Sequence, residues 1–321
     1  IAPLFAWSNR PVLKEIPGAP PNATIAQDLP RKYRIVPTPD SFDWREVDGY
    51  NWITPIRTQG TCGSCWAFAS IAQFEAAIKI FSQQCSLQID LAEQELVSCD
   101  TISSACFGGY FPIDYFQNIG IVDEDCFPYG PTQDTLFWYP CDDICIDASA
   151  RRDYRLTAQI VSAGYSIDEL KAVVYNAPVY IVITVYRTFH ELGTVSEDYV
   201  WLPSIDDAFL GYHAMLCIGW DDDNQCLIFK NSWDEDFGYD GFVKIGYACM
   251  SSGAEKPVWA DGLLYPTQNV SAKIVQNWIA SSTLIKTDTS YIEIDTATID
   301  METDEFLAVD DKWYKVEGWR W

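Results

Sequence analysis

Residues 59–68 read QGTCGSCWAF, a glycine-bearing turn that runs straight into a long apolar segment. From Cys65 the chain continues Trp66, Ala67, Phe68, Ala69, Ser70, Ile71 and Ala72, with no Pro or Gly until well past Phe81, which predicts a helix of several turns starting at Cys65. A sulfur at that position meets unpaired backbone N–H groups and partial positive charge. Both favour the thiolate, the form that attacks as a nucleophile.

The same residues allow a second chemistry, a Cys62/Cys65 redox pair at the head of a helix, as in a thioredoxin-like thiol-disulfide oxidoreductase. That reading needs a βαβ framework of roughly a hundred residues, whereas this chain has 321, of which 48% are apolar and 15% aromatic. Such a length and composition predict a globular molecule of two subdomains with a large shared core. No run of eighteen apolar residues occurs, so no membrane contact is expected, and a chain opening at Ile1 without Met or a basic-then-apolar leader reads as processed or trimmed. Eleven cysteines predict disulfides and an oxidising compartment, secreted or vesicular (lysosome-like); setting Cys65 aside leaves ten.

A net charge of -25 argues against nucleic acid as a partner and suits solubility, or an acidic or saline setting. Asp234, Glu235, Asp236 and Asp240 cluster, but not at EF-hand spacing, so solvated turns are expected there in place of calcium. With two histidines in the chain a catalytic zinc is not expected either. No metal and no cofactor are anticipated.

In chain order, residues 1–39 carry eight of the seventeen prolines and should lie extended as a strap or tail. Asn22 and Asn269 open glycosylation sequons, patterns that arise often by chance. DLAEQELVSCD (90–100) predicts a short helix with Asp90 as its N-cap. From about Arg151 apolar runs at 178–186, 213–220, 226–233 and 241–247, separated by acidic and glycine turns, predict antiparallel strands.

The Cys-Gly-Ser-Cys-Trp run, Phe42-Asp43-Trp44-Arg45, Cys106-Phe107-Gly108-Gly109-Tyr110, YHAM around His213, and KNSW (230–233) together resemble the papain family of cysteine peptidases, over about residues 42–266. The resemblance implies an α+β, papain-like two-subdomain fold. A helical subdomain (40–150) would face an antiparallel β-barrel-like one (151–266) across the active-site groove, with 267–321 as an appended β-type extension of unread function. It implies a monomeric cysteine endopeptidase acting on proteins or peptides through a thiolate–imidazolium pair and an acyl-enzyme.

Residue by residue, Cys65 is the expected nucleophile. His213, 148 residues downstream, is the proton carrier. Asn231 orients its ring, and Gln59 donates to the oxyanion with the Cys65 N–H. Trp233 shelters the His–Asn bond. The other histidine, His190, is expected on a surface loop. Gly108 and Gly109 meet the substrate backbone, while Tyr110, Phe111, Gly211, Ala214 and Gly262 form an apolar specificity pocket, with Asp261 beside its floor. The implied disulfides are Cys62–Cys106, Cys99–Cys141 and Cys126–Cys145. Cys217 and Cys226 could pair across a hairpin or stay as buried thiols, and Cys85 and Cys249 have no assigned partner. The family's Gly after Asn-Ser-Trp is Asp234 here, which puts the local backbone in question. Residues 127–145 lack the adjacent histidines that block one groove end in cathepsin B, so internal cleavage is expected. A non-catalytic papain-like binding protein is the remaining alternative, disfavoured by the presence of all four catalytic residue types.

Overall fold

A computed structural model of the chain describes residues 25–26, 38–81, 84–130, 139–152, 157–161, 166–175, 177–204, 206–249, 261–267, 306–309 and 312–315. Most of the proline-rich tail, both sequons and the TSYIEID stretch lie outside the described residues. The helices are α1 (Cys65–Phe81), α2 (Glu93–Cys99), α3 (Ile113–Asn118), α4 (Ala148–Arg151), α5 (Ile167–Val174) and α6 (Arg187–His190). The strands are β1 (Ile25–Ala26), β2 (Ser41–Asp43), β3 (Thr157–Val161), β4 (Val179–Tyr186), β5 (Val200–Trp201), β6 (Phe209–Asp221), β7 (Cys226–Lys230), β8 (Phe242–Gly246), β9 (Asp261–Thr267), β10 (Phe306–Val309) and β11 (Lys312–Lys315). The fold is α+β.

Nine strands form one open sheet in the order β1-β3-β9-β4-β6-β7-β8-β5, with β2 added to β6, while β10 and β11 make a separate antiparallel pair. The centre, β4-β6-β7-β8, is antiparallel, as the turn chemistry predicts; the β1–β3 and β5–β8 pairs at the ends are parallel. Strand β6 is the axis. It begins four residues earlier than its apolar run suggests, at Phe209, and β7 ends at Lys230, so Asn231, Ser232 and Trp233 leave the sheet.

Helix α1 is buried on every side from Cys65 to Lys79, the condition of a helix apolar all round. Ala72 and Ala76 face the sheet core with Val179, Ile181, Leu216 and Ile218, and their small side chains let the helix approach β6 closely. Ile71, Phe74 and Ile78 face a second core with Leu96, Phe116 and Ile121. Its buried polar groups are bonded: the Tyr180 N–H donates to Gln73 Oε1 at 3.1 Å, and Glu75 accepts from the Leu91 N–H at 2.8 Å and the Thr54 hydroxyl at 2.6 Å.

Two expectations change. The start of the supposed helical part, residues 40–53, belongs with the sheet: β2 pairs with β6, and Trp44 and Ile53 sit in the sheet core. There the Trp44 indole N–H donates to Val174 O at 2.7 Å, and β2 crosses β6 so closely that a Cβ on Gly219 would lie 2.1 Å from Phe42 O. The second change is at α2, which starts at Glu93 with Ala92 in the cap position and no side-chain cap. Asp90 instead pairs with Arg57 at 2.7 Å, because Leu91 is held extended in a bridge to Asp123.

Candidate active site

Two loop segments meet at the start of α1. Thr58 bridges Trp233, the Gln59 N–H donates to Ser232 O at 3.0 Å, and the Ser232 hydroxyl donates to Gln59 Oε1 at 2.7 Å. Gln59 Nε2 donates to Cys62 O at 2.9 Å. The amide is thus oriented at both ends, with its donor side turned toward the loop that delivers Cys65. Cys62 is joined to Cys106, which leaves Cys65 a free thiol and removes the Cys62/Cys65 redox pairing. The other two disulfides are Cys99–Cys141 and Cys126–Cys145, while Cys217 and Cys226 are buried free thiols, as is Cys249; Cys85 is a half-buried one.

Cys65 is the first residue of α1, and the Ser64 carbonyl receives the Ala67 and Phe68 N–H groups at 2.8 and 3.2 Å. Helix position alone does not set its acidity. Burial pushes the Cys65 thiol up to about 12, outweighing hydrogen bonding from the backbone of Ala214, Trp66 and Cys65 itself, which pulls the other way. In this enclosed site the sulfur needs a neighbouring base and cation to ionise.

His213 lies in β6 opposite Ile183 of β4 and is fully buried. Its Nε2 is 2.6 Å from Asn231 Oδ1. With Oδ1 as acceptor, Nε2 carries the proton, and Nδ1 is the basic nitrogen of the neutral ring. Asn231 stands one residue past β7 and is anchored by its N–H to Gly241 O at 3.0 Å. Trp233 stacks on the imidazole, with centroids 4.3 Å apart and planes at 27°, backed by Phe237 and Phe189. His190 is not on a surface loop. It ends α6 and is buried edge-on to Trp233 at 5.8 Å, because Phe189 beside it is drawn wholly into the Trp201–Trp233–Phe237 cluster.

Asp234 keeps the left-handed backbone that Gly would favour, with φ 76°, and its carboxylate accepts from the Glu235 N–H at 2.8 Å. Directly before Asn231, buried Lys230 donates to Thr54 Oγ1 at 3.0 Å while the same hydroxyl donates to Glu75. Burial lowers Lys230 to about 8 and raises Glu75 and Glu93. Ser232 and this Thr54 relay escaped the sequence reading. Ser232 sits in KNSW and could have been suspected; nothing in the text pairs Thr54 with Lys230.

Gly109 is pressed against α1: a Cβ there would lie 2.4 Å from Trp66 Cδ2. Trp66 in turn donates to Ala105 O at 3.0 Å. Gly108, at φ 122°, turns the chain into this approach, and the Gly108 O accepts from Ser104 at 2.8 Å. Phe111 is packed into the core against Phe116 and Tyr180, at 5.3 and 5.4 Å, so Tyr110 is the more open of the two supposed walls. Ala214 and Gly211 lie opposite Val182 and Val185 in β4. Val182 also pairs with Asp261, which puts Asp261, one residue before Gly262, level with Ala214 across three strands.

Known proteins similar to this chain include cathepsins and cysteine proteases. A viral cathepsin of Heliothis zea nuclear polyhedrosis virus is 29% identical over 214 residues, 64% of this chain, and the chain spans only 52% of that relative's length. A cathepsin B-like protein of Giardia intestinalis, CP2, is 29% identical over 261 residues, covering 77% of this chain and 80% of the relative. Among solved structures, a cysteine protease of Carica candamarcensis in complex with E-64 superposes with a TM-score of 0.54 at 25% identity, covering 72% of this chain and 99% of its own. The family model of papain family cysteine proteases matches residues 38–259, a span that holds Gln59, Cys65, His213, Asn231 and Trp233 together, and the chain belongs to that family.

Proposed function

We propose that the protein is a cysteine endopeptidase that hydrolyses peptide bonds in proteins or peptides through an acyl-enzyme, in a secreted or vesicular setting that tolerates its three disulfides. The observation that carries the reading is the His213–Asn231 bond beneath Trp233, set against a free thiol at the head of a buried helix. His213 Nδ1 takes the Cys65 proton. The imidazolium so formed offsets the desolvation that otherwise holds the thiol neutral. Asn231 Oδ1 accepts from Nε2 throughout, keeping the ring oriented without adding a full negative charge.

The thiolate attacks the scissile carbonyl carbon. Gln59 Nε2 and the Cys65 N–H receive the developing oxyanion, and removing one such donor costs about a hundredfold or more in turnover. The imidazolium then protonates the leaving amine, and water, deprotonated by His213, cleaves the thioester to release the acid and restore the thiol. Gly109 supports pairing with an extended substrate: among the described residues neither its N–H nor its C=O has a hydrogen-bond partner.

Incubation with E-64 followed by intact-mass measurement tests the nucleophile. One adduct is expected on the wild type and none on Cys65→Ser, which should also abolish turnover of amide-blocked peptides while keeping the fold. An unlabelled wild type that cuts no peptide overturns the reading. Release of dipeptides from free ends without internal cleavage overturns the endopeptidase part.

A further inference from the structure

Phe127-Pro128-Tyr129 is a segment for which the reaction above has no use, yet its last residue reaches the site from below. The Tyr129 hydroxyl donates to the carbonyl of Gln59 at 3.0 Å and lies 2.7 Å from Ser64 Oγ. A phenol has one proton, so with that proton on Gln59 O, Ser64 is the donor in the second bond. Gln59 is the oxyanion side chain, and Ser64 is the residue whose carbonyl starts α1 and whose neighbour is Cys65. We propose that Tyr129 is a positioning residue for the reaction: its hydroxyl clamps the Gln59 backbone to Ser64, holding the oxyanion donor and the nucleophile at a fixed separation. The inference rests on the cysteine-peptidase reading and extends it.

Several contacts fix the clamp itself. The Tyr129 ring meets Phe68, in the first turn of α1, edge-on at 4.7 Å and 90°. Its N–H donates to Glu124 Oε1 at 2.6 Å, and the next residue, Gly130, donates its N–H to Gln94 Oε1 at 3.2 Å. The loop is therefore tied to α1, to α2 and to Glu124 at once. Moreover, the Ser64 hydroxyl, in donating to Tyr129, ties the start of α1 to a residue 65 positions further along the chain.

Tyr129→Phe keeps the ring and its packing and removes only the hydroxyl. Losing both bonds should lower kcat about tenfold and leave KM within about twofold, because the ground-state groove is untouched. In a Gln59→Ala background the same substitution should cost less than about threefold, since no oxyanion side chain is left to place; a merely structural role gives one factor in both backgrounds. Wild-type kcat in a folded Tyr129→Phe, or equal factors in the two backgrounds, overturns the proposal. Should Tyr129→Phe fail to fold, Ser64→Ala in the same two backgrounds decides by the same criterion. An inert wild type overturns the activity reading and this inference with it, whereas an active wild type with an unaffected variant overturns this inference alone.

Discussion

Trp233 lies over the ring of His213, 4.3 Å away centroid to centroid, and is itself 5% exposed. It closes the His213–Asn231 bond off from water, where a hydrogen bond orients a ring less firmly. Trp233→Ala should lower kcat/KM by about tenfold or more and destabilise the fold by about 3–5 kcal/mol through the cavity it leaves. Steady-state kinetics well below the lowered Tm separate the two effects. Unchanged kcat/KM in the folded variant would show that the indole is only packing.

Glu124 gives a stability dependence on pH. Desolvation raises its carboxyl from 4.5 to about 7, against the Tyr129 N–H, which lowers it. The folded state therefore holds a proton that the unfolded state has released between about pH 4.5 and 7, so this group makes stability fall as pH rises through that window and adds no further loss above it. Glu124→Gln removes the titration while keeping an acceptor for Tyr129. The drop in Tm between pH 4.5 and 7 should be smaller in the variant; an equal drop would mean that the carboxyl is not perturbed.

At Asp234 an L side chain occupies a left-handed backbone position. Such placement costs about 1 kcal/mol relative to Gly, part of which the Glu235 N–H bond to its carboxylate returns. Asp234→Gly should raise stability by up to about 1 kcal/mol in chemical denaturation, with catalytic parameters unchanged, because the side chain is exposed. A loss of stability would show that the hydrogen bond outweighs the strain.

For the specificity pocket, paired peptides differing only in Phe or Arg at the second residue before the cleaved bond give the measurement. Burying the larger apolar side chain is worth about 1.5–3 kcal/mol, so Phe should be preferred, and Asp261→Ala should leave that preference in place. The backbone register that sets Asp261 level with Ala214 makes the opposite result specific. A preference for Arg that vanishes in Asp261→Ala would put Asp261, and not Gly262, at the pocket floor.

Much of this arrangement is legible in the sequence, because it is written in local chemistry. A glycine turn before an unbroken apolar run foretold α1, and alternating runs between acidic turns foretold β4, β6, β7 and β8. His213 is bonded to Asn231, and Gln59 to Ser232, the residue next to Asn231. What was not readable depends on distant partners. Asp90 looked like a cap until Arg57 and the Leu91–Asp123 bridge claimed that stretch. His190 looked like a loop residue because nothing local announces that Phe189 will be buried among Trp201, Trp233 and Phe237. Lys230 and Thr54 are 176 residues apart, and no periodicity encodes such a contact.

Because α1 contributes Ala72 and Ala76 to one core and Ile71, Phe74 and Ile78 to the other, neither half can lose its order while the other keeps its inner wall. A helix shared in this way should make the two cores melt as one unit over the family region, giving one heat-absorption peak whose van't Hoff and calorimetric enthalpies agree. Such all-or-none melting would mean that partly opened forms, the ones that proteases cut, stay rare until the whole region gives way.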